Sequence, residues 1–111
     1  MKAVRIENGI AEEIEIGSGL DSLQKAVGGW IELLPINDEH HAYIDEEGKL
    51  KNLPINELAT KFAHKYIGIA PYDCIVGPMI ILGNDPSDPE EEGDANTPTV
   101  ISMVATLVGR K

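Results

Sequence analysis

The sequence predicts an α+β fold, in which a small, mostly antiparallel sheet of hairpins packs against two or three helices in two layers. Two patterns carry most of that prediction. Residues 1–16 alternate with a period of two: Val4, Ile6, Ile10, Ile14 and Ile16 hold even positions, while Arg5, Glu7, Glu13 and Glu15 hold odd ones. That is the signature of strands with one dry face. Residues 53–66 repeat at helical spacing instead, with Ile55, Leu58, Ala59, Phe62, Ala63 and Tyr66 on one face and Glu57, Lys61 and Lys65 on the other. The remaining apolar segments are short, so this helix is the natural slab for the sheet. A chain of 111 residues is read as a single domain over 1–111. It is large enough to bury roughly 60–70% of its unfolded surface.

The first hairpin has two candidate registers. A two-residue Asn8-Gly9 turn pairs Glu7 with Ile10 and sends the two apolar sets to opposite faces. A three-residue loop, Glu7-Asn8-Gly9 with Gly9 left-handed, pairs Ile6 with Ile10 and keeps them together, and a single dry face selects it. Ser18 is then read as the cap of a short helix through Leu20, Leu23, Gln24 and Val27, with Asp21 in its first turn and Gly28-Gly29 ending it. Trp30 to Leu34 is apolar on both sides, which predicts a central strand closed by Pro35. Ala42-Tyr43-Ile44 and Lys49-Leu50 flank Asp45-Glu46-Glu47-Gly48 as a second hairpin around a type I turn. Pro54 suits the first turn of the main helix, with Asn52 or Asn56 as its cap.

Beyond Gly68 and Pro71, an apolar strand from Cys74 to Gly83 is interrupted at Gly77-Pro78. Proline donates no ladder bond, so that point requires a bulge, a bend or an unpaired edge. Residues 84–96 carry Asp85, Asp88, Glu90, Glu91, Glu92 and Asp94 and no base, which reads as a mobile acidic loop. Thr97-Pro98 resembles a cap and first helical position, followed by Val100, Ile101, Val104, Leu107 and Val108. A helix is chosen there, although such β-branched content also suits a strand.

Composition excludes several functions. No apolar run approaches the roughly 18 residues of a membrane span, so no membrane is expected. Met1-Lys2-Ala3-Val4 runs straight into a strand pattern, so no signal peptide and a cytoplasmic location are expected. The one cysteine, Cys74, forbids an internal disulfide and reads as a buried thiol beside Ile75 and Val76. Nineteen acids against nine bases give a net charge of −10, with the bases scattered. That balance argues against direct nucleic-acid binding and favours either solubility or a basic partner.

Chemistry-bearing motifs are scarce. His40-His41, beside Asn37-Asp38-Glu39, is read as a loop because neighbours in an extended segment point to opposite sides and share an ion poorly. Gly28-Gly29 lacks a dinucleotide or Walker pattern, and the acidic loop matches no calcium-loop spacing. No serine elbow or Cys–His pairing is present, so neither catalysis nor a cofactor is expected; Asp45 or His41 would be the group to carry any.

Four stretches occur in a telling order: Leu23-Gln24-Lys25-Ala26-Val27-Gly28-Gly29-Trp30-Ile31-Glu32, then Asp45-Glu46-Glu47-Gly48-Lys49-Leu50. Leu53-Pro54-Ile55-Asn56 with Ala59-Thr60 follows, and then Asp73-Cys74-Ile75-Val76-Gly77. Together they resemble a domain family of unknown function found in bacteriophages, plasmids and some bacteria. The likeness covers residues 1–83. The tail departs from it, with a long acidic loop and a last helix lacking the expected acids. The family supplies no catalytic residue to carry over. The resemblance implies a mobile-element setting in the host cytoplasm, where small accessory proteins inhibit or sequester host components in counter-defence.

Two binding functions remain. In the first, preferred in that setting, Asn52, Asn56 and Thr60 at the main helix start and Asn84 beyond the long strand hold a small nucleotide-like ligand or signal. In the second, Glu12, Glu13, Glu15, Glu46 and Glu47, with Glu90, Glu91 and Glu92 of the acidic loop, meet a basic host protein such as a nuclease as a nucleic-acid mimic. Oligomeric state, and whether Met103 faces a core or a partner, stay open.

Overall fold

A computed structural model describes residues 1–85 and 88–108, with the backbone alone for 88–91. The elements run β1 (Lys2–Glu7), β2 (Ile10–Glu15), α1 (Leu20–Val27), β3 (Ile31–Pro35), β4 (His40–Asp45), and α2 (Glu57–Phe62) with a π-helical turn (Ala63–Ile67). Then come β5 (Met79–Asp85), β6 (Asp88–Gly93) and α3 (Thr97–Ala105). The strands form one antiparallel sheet in the order β2-β1-β5-β4-β3, with β6 added at the far end of β5.

Both faces of the sheet are dry. Val4, Ile6, Ala42, Met79 and Ile81 point to one side, where Leu58, Ala59 and Phe62 of α2 and Val100 and Val104 of α3 cover them. Ala3, Tyr43, Ile80 and Leu82 point to the other, beneath Leu23 and Val27 of α1. The α+β class holds, with three layers in place of the expected two, because residues of each parity find their own helical cover. Met103 and Leu107 pack against the first of these cores.

This double cover explains the first hairpin. Asn8 and Gly9 both have positive φ, 56° and 77°, as a two-residue primed turn requires, and Glu7 pairs with Ile10. The expected three-residue loop does not form. Ile14, opposite Ala3, goes beneath α1, while Val4 and Ile6 go to α2 and α3.

Several other expectations are corrected. Ser18 does not cap α1; Gly19 holds that position without a side-chain bond, and Gly28, left-handed at φ 96°, closes the helix as expected. The strand after it, β3, lies at the sheet edge, and Leu33 is 50% exposed. The second hairpin joins β3 to β4 around Asn37, whose Oδ1 accepts from the amides of Glu39 and His40. His40 and His41 therefore begin a strand, not a loop. The turn at Asp45–Gly48 forms, but no strand follows, because further turns carry the chain to Asn52, which is itself left-handed.

Asn56, not Asn52, caps α2, and Pro54 and Ile55 precede the helix; Ile55 makes an isolated bridge to Val76 and is exposed. The break at Gly77-Pro78 is as expected, with Gly77 at φ 74° and β5 starting at Met79. Cys74 is half-buried, not buried. Residues 88–93 form β6 where a mobile loop was expected, and Pro86 and Ser87 of that stretch lie outside the described residues. The last segment is helical, capped by Asn96 one residue before Thr97.

Candidate functional site

Asn56 is a junction of three elements. Its Oδ1 accepts from the Ala59 amide at 3.0 Å, and its Nδ2 donates to the carbonyls of Ile6 and Gly77, both at 2.8 Å. Thr60 completes the junction: its hydroxyl accepts from the Ile75 amide at 2.9 Å and donates to the Asn56 carbonyl at 2.8 Å. A buried amide with both N–H groups and its oxygen bonded holds α2, β1 and the bend before β5 together. A cleft of about 320 Å³ opens beside it, between the Asn8-Gly9 turn and the start of α2. Glu7 and Glu57 line this cleft and no lysine or arginine does, an arrangement that repels phosphate.

Asn84 sits at the opposite end of β5 from this junction. Its Nδ2 donates to the Asp38 carbonyl at 2.9 Å, and its Oδ1 accepts from His41 Nδ1. Asn52 is exposed. Of the residues named for a ligand, the structure brings Asn56 and Thr60 together and leaves Asn84 remote.

A second polar cluster runs along the α1 side of β4. His41 and Tyr43 meet edge to face with ring centres 5.2 Å apart, and Tyr43 donates its hydroxyl to Glu92. Glu92 Oε2 also lies 3.7 Å from His41 Nε2. Burial raises the Tyr43 pKa, and the Glu92 hydrogen bond and charge raise it further. Glu92 thus ties β6 to β4; the side chains of Glu90 and Glu91 lie outside the described residues. Sequence reading missed this link, since the partners are 49 residues apart.

His40 faces the other side, where its Nε2 accepts from the Asn96 amide at 3.1 Å, at the start of α3. Burial lowers its pKa below the ordinary 6.5, Glu39 opposes this, and His41 adds to it. Above pH 6.5 the ring is neutral in both folded and unfolded chains. Below it the unfolded chain binds a proton that the fold resists, so stability is full above 6.5 and declines as pH falls toward the folded pKa. Urea midpoints measured from neutral to mildly acidic pH are expected to fall in the parent and to fall less in His40→Gln; equal slopes would contradict this.

The third cluster centres on Asp45, whose side chain is 1% exposed and 2.6 Å from Lys51 Nζ. Burial pushes the Asp45 pKa up, but the hydrogen bonds from Lys51 and the Glu47 amide, with the Lys51 charge, bring it below its ordinary value. Lys51 also donates to the Gly28 carbonyl at 3.2 Å, pinning the end of α1. A Cβ on Gly29 would lie 2.6 Å from that ammonium and 2.9 Å from Asp45 Oδ2, so a larger residue there would displace the ion pair. Asp45, the residue named for acid–base chemistry, is an internal ion-pair member. Among the described residues no group of three His, Cys, Asp or Glu side chains suits a metal ion, and no helix is long and apolar enough to cross a membrane.

The acids of the two hairpins differ in their partners. Glu12 pairs with Arg5, Glu13 accepts from the Thr97 hydroxyl at 2.7 Å, and Glu15 lies 3.7 Å from the amino terminus. Glu32, Asp38, Glu39, Glu46 and Glu47, along the β3–β4 hairpin, are exposed and form no ion pair among the described residues.

Residues 1–104 match the model of a domain of unknown function, DUF3846. No curated protein and no solved structure matches the chain. The match runs past residue 83 through β6 and most of α3. The chain belongs to the DUF3846 family of domains of unknown function.

Proposed function

We propose that this protein is a non-catalytic accessory protein of a bacteriophage or other mobile element, working in the host cytoplasm in counter-defence, and that it binds a basic host protein such as a nuclease or DNA-binding protein. The observation that carries this reading is the sorting of polar groups. Asn56, Thr60 and Asn84 are bonded within the fold, and the cleft beside Asn56 is acidic, which disfavours capture of a nucleotide-like signal. Five exposed carboxylates without an ion pair among the described residues instead lie along the β3–β4 hairpin, against Asp21 on α1 and Glu57 on α2, on a chain of net charge −10. Such a field steers and orients a cationic partner more than it adds raw affinity.

The test is capture from host extract at low and high salt, comparing the parent with a variant carrying Glu32→Gln, Glu46→Gln and Glu47→Gln. Basic proteins are expected on the parent at about 50 mM salt, largely released at about 300 mM, and several-fold depleted on the variant. Equal retention by both proteins would remove the reading. A companion variant, Glu90→Gln with Glu91→Gln, separates any contribution of β6 from that of the hairpin.

A further inference from the structure

The composition of β3 belongs to a buried strand, yet it lies at an edge. Trp30 is 61% and Leu33 50% exposed, and no strand pairs the outer side of β3 among the described residues. Its hydrogen-bonding phase follows from two bonds at its ends: the Glu46 amide donates to Trp30 O at 2.8 Å and the Ile36 amide to His40 O at 3.2 Å. Bonded pairs alternate in an antiparallel ladder, so the even residues face β4. Ile31, Leu33 and Pro35 therefore turn their backbone groups outward. Pro35 lacks an N–H where none is needed, which leaves the amides and carbonyls of Ile31 and Leu33 as a short free template.

The other edge differs. Three of the six residues of β2 are glutamates, a charged edge of the kind that discourages pairing. Beside β3, on the α2 side, a groove of about 250 Å³ is lined by Leu34, Ile44, Leu50 and Ile75, by Glu32 and Glu46, and by the paired Lys49 and Asp73. The two lysines near this region are occupied, Lys49 with Asp73 and Lys51 with Asp45. The edge thus combines backbone groups, apolar side chains and unbalanced negative charge.

We infer that β3 takes up an additional strand from a basic partner: an extended segment alternating apolar residues with lysine or arginine, pairing with Ile31 and Leu33 and setting its cations against Glu32, Glu46 and Glu47. This rests on the basic-partner reading and names its surface. A second copy of the chain is the poorer occupant. It would bring two chains of charge −10 together, and centring the pair on Glu32, the register that uses both free residues fully, sets Glu32 against its own counterpart.

The test uses two end-blocked peptides of about seven residues, one alternating lysine with valine, the other lysine with proline, which carries the same charge but cannot join a ladder. The lysine–valine peptide is expected to bind at least about tenfold tighter and to slow hydrogen exchange of the Ile31 and Leu33 amides by about tenfold. Leu33→Pro removes an outward N–H without breaking the β3–β4 ladder, and Leu33→Lys keeps the backbone while adding a repelling charge. Either, once shown by circular dichroism to be folded, should weaken binding by about tenfold. Equal binding of both peptides, unaffected by the variants, overturns the edge and leaves the basic-partner reading standing. No binding of either peptide at low salt overturns both. A dimer of the protein alone, abolished by Leu33→Pro, overturns the inference in favour of self-pairing.

Discussion

Asn56→Ala is expected to cost about 3 kcal/mol of folding stability, roughly 10–20 °C in Tm. The loss has three parts. The Ala59 amide loses its cap, and the carbonyls of Ile6 and Gly77, which the Asn56 amide serves in a buried setting, lose their donor. Asn56→Asp separates these contributions. A carboxylate keeps the cap but faces two carbonyl oxygens, so this variant should be as unstable as the alanine variant at neutral pH. It should recover on acidification, when the protonated group can donate to one of them. Urea melts at two pH values read both effects. A loss below about 1 kcal/mol in Asn56→Ala would mean that the junction is not what holds α2 to the sheet.

Gly83→Ala should be nearly as damaging for a different reason. Gly83 lies within β5, opposite His40, and a Cβ there would sit 2.2 Å from the Asp94 carbonyl oxygen and 2.9 Å from its carbon. These are backbone atoms, so no rotamer change relieves the clash, and the segment between β6 and α3 must move. Overpacking of this kind costs about 2–3 kcal/mol. The strain should show locally as well. The Ala95 amide donates to the Lys2 carbonyl at 2.9 Å, and its hydrogen exchange should accelerate far more than that of β1 and β4 amides. Unchanged protection at Ala95 together with unchanged stability would refute the steric account.

The elements visible in the sequence were those whose cause is local. Leu58, Ala59 and Phe62 announce α2 by spacing, Gly28 marks the end of α1, and Gly77-Pro78 marks a break, because each effect acts within a few residues. Errors arose where a distant neighbour decides. The Asn8-Gly9 register depends on whether α1 covers the second face. Trp30 to Leu34 looks central because both its faces are apolar, but strand order follows from where β5 inserts. Asn56 was legible as a cap, whereas its bonds to Ile6 and Gly77 span 50 and 21 residues and leave no local trace. Asp45 read as a turn residue and Glu92 as part of a mobile loop, because the successive turns that fold Lys51 Nζ back onto Asp45 and the 49 residues between Glu92 and the Tyr43 hydroxyl leave no local pattern. The acids of the β3–β4 hairpin were partly visible, through Glu46 and Glu47, but their grouping with Glu32 and Asp38 required the hairpin itself.

The position of β5 in the sheet bears on how the protein is made. Both hairpins, β1–β2 and β3–β4, leave the ribosome before the strand that must slot between them. Until residue 82 or so emerges, neither hairpin has a partner on its inner edge, and Val4, Ile6 and Ala42 face water. Assembly therefore waits for β5, and a nascent chain halted before it presents two sticky ribbons for chaperones to hold.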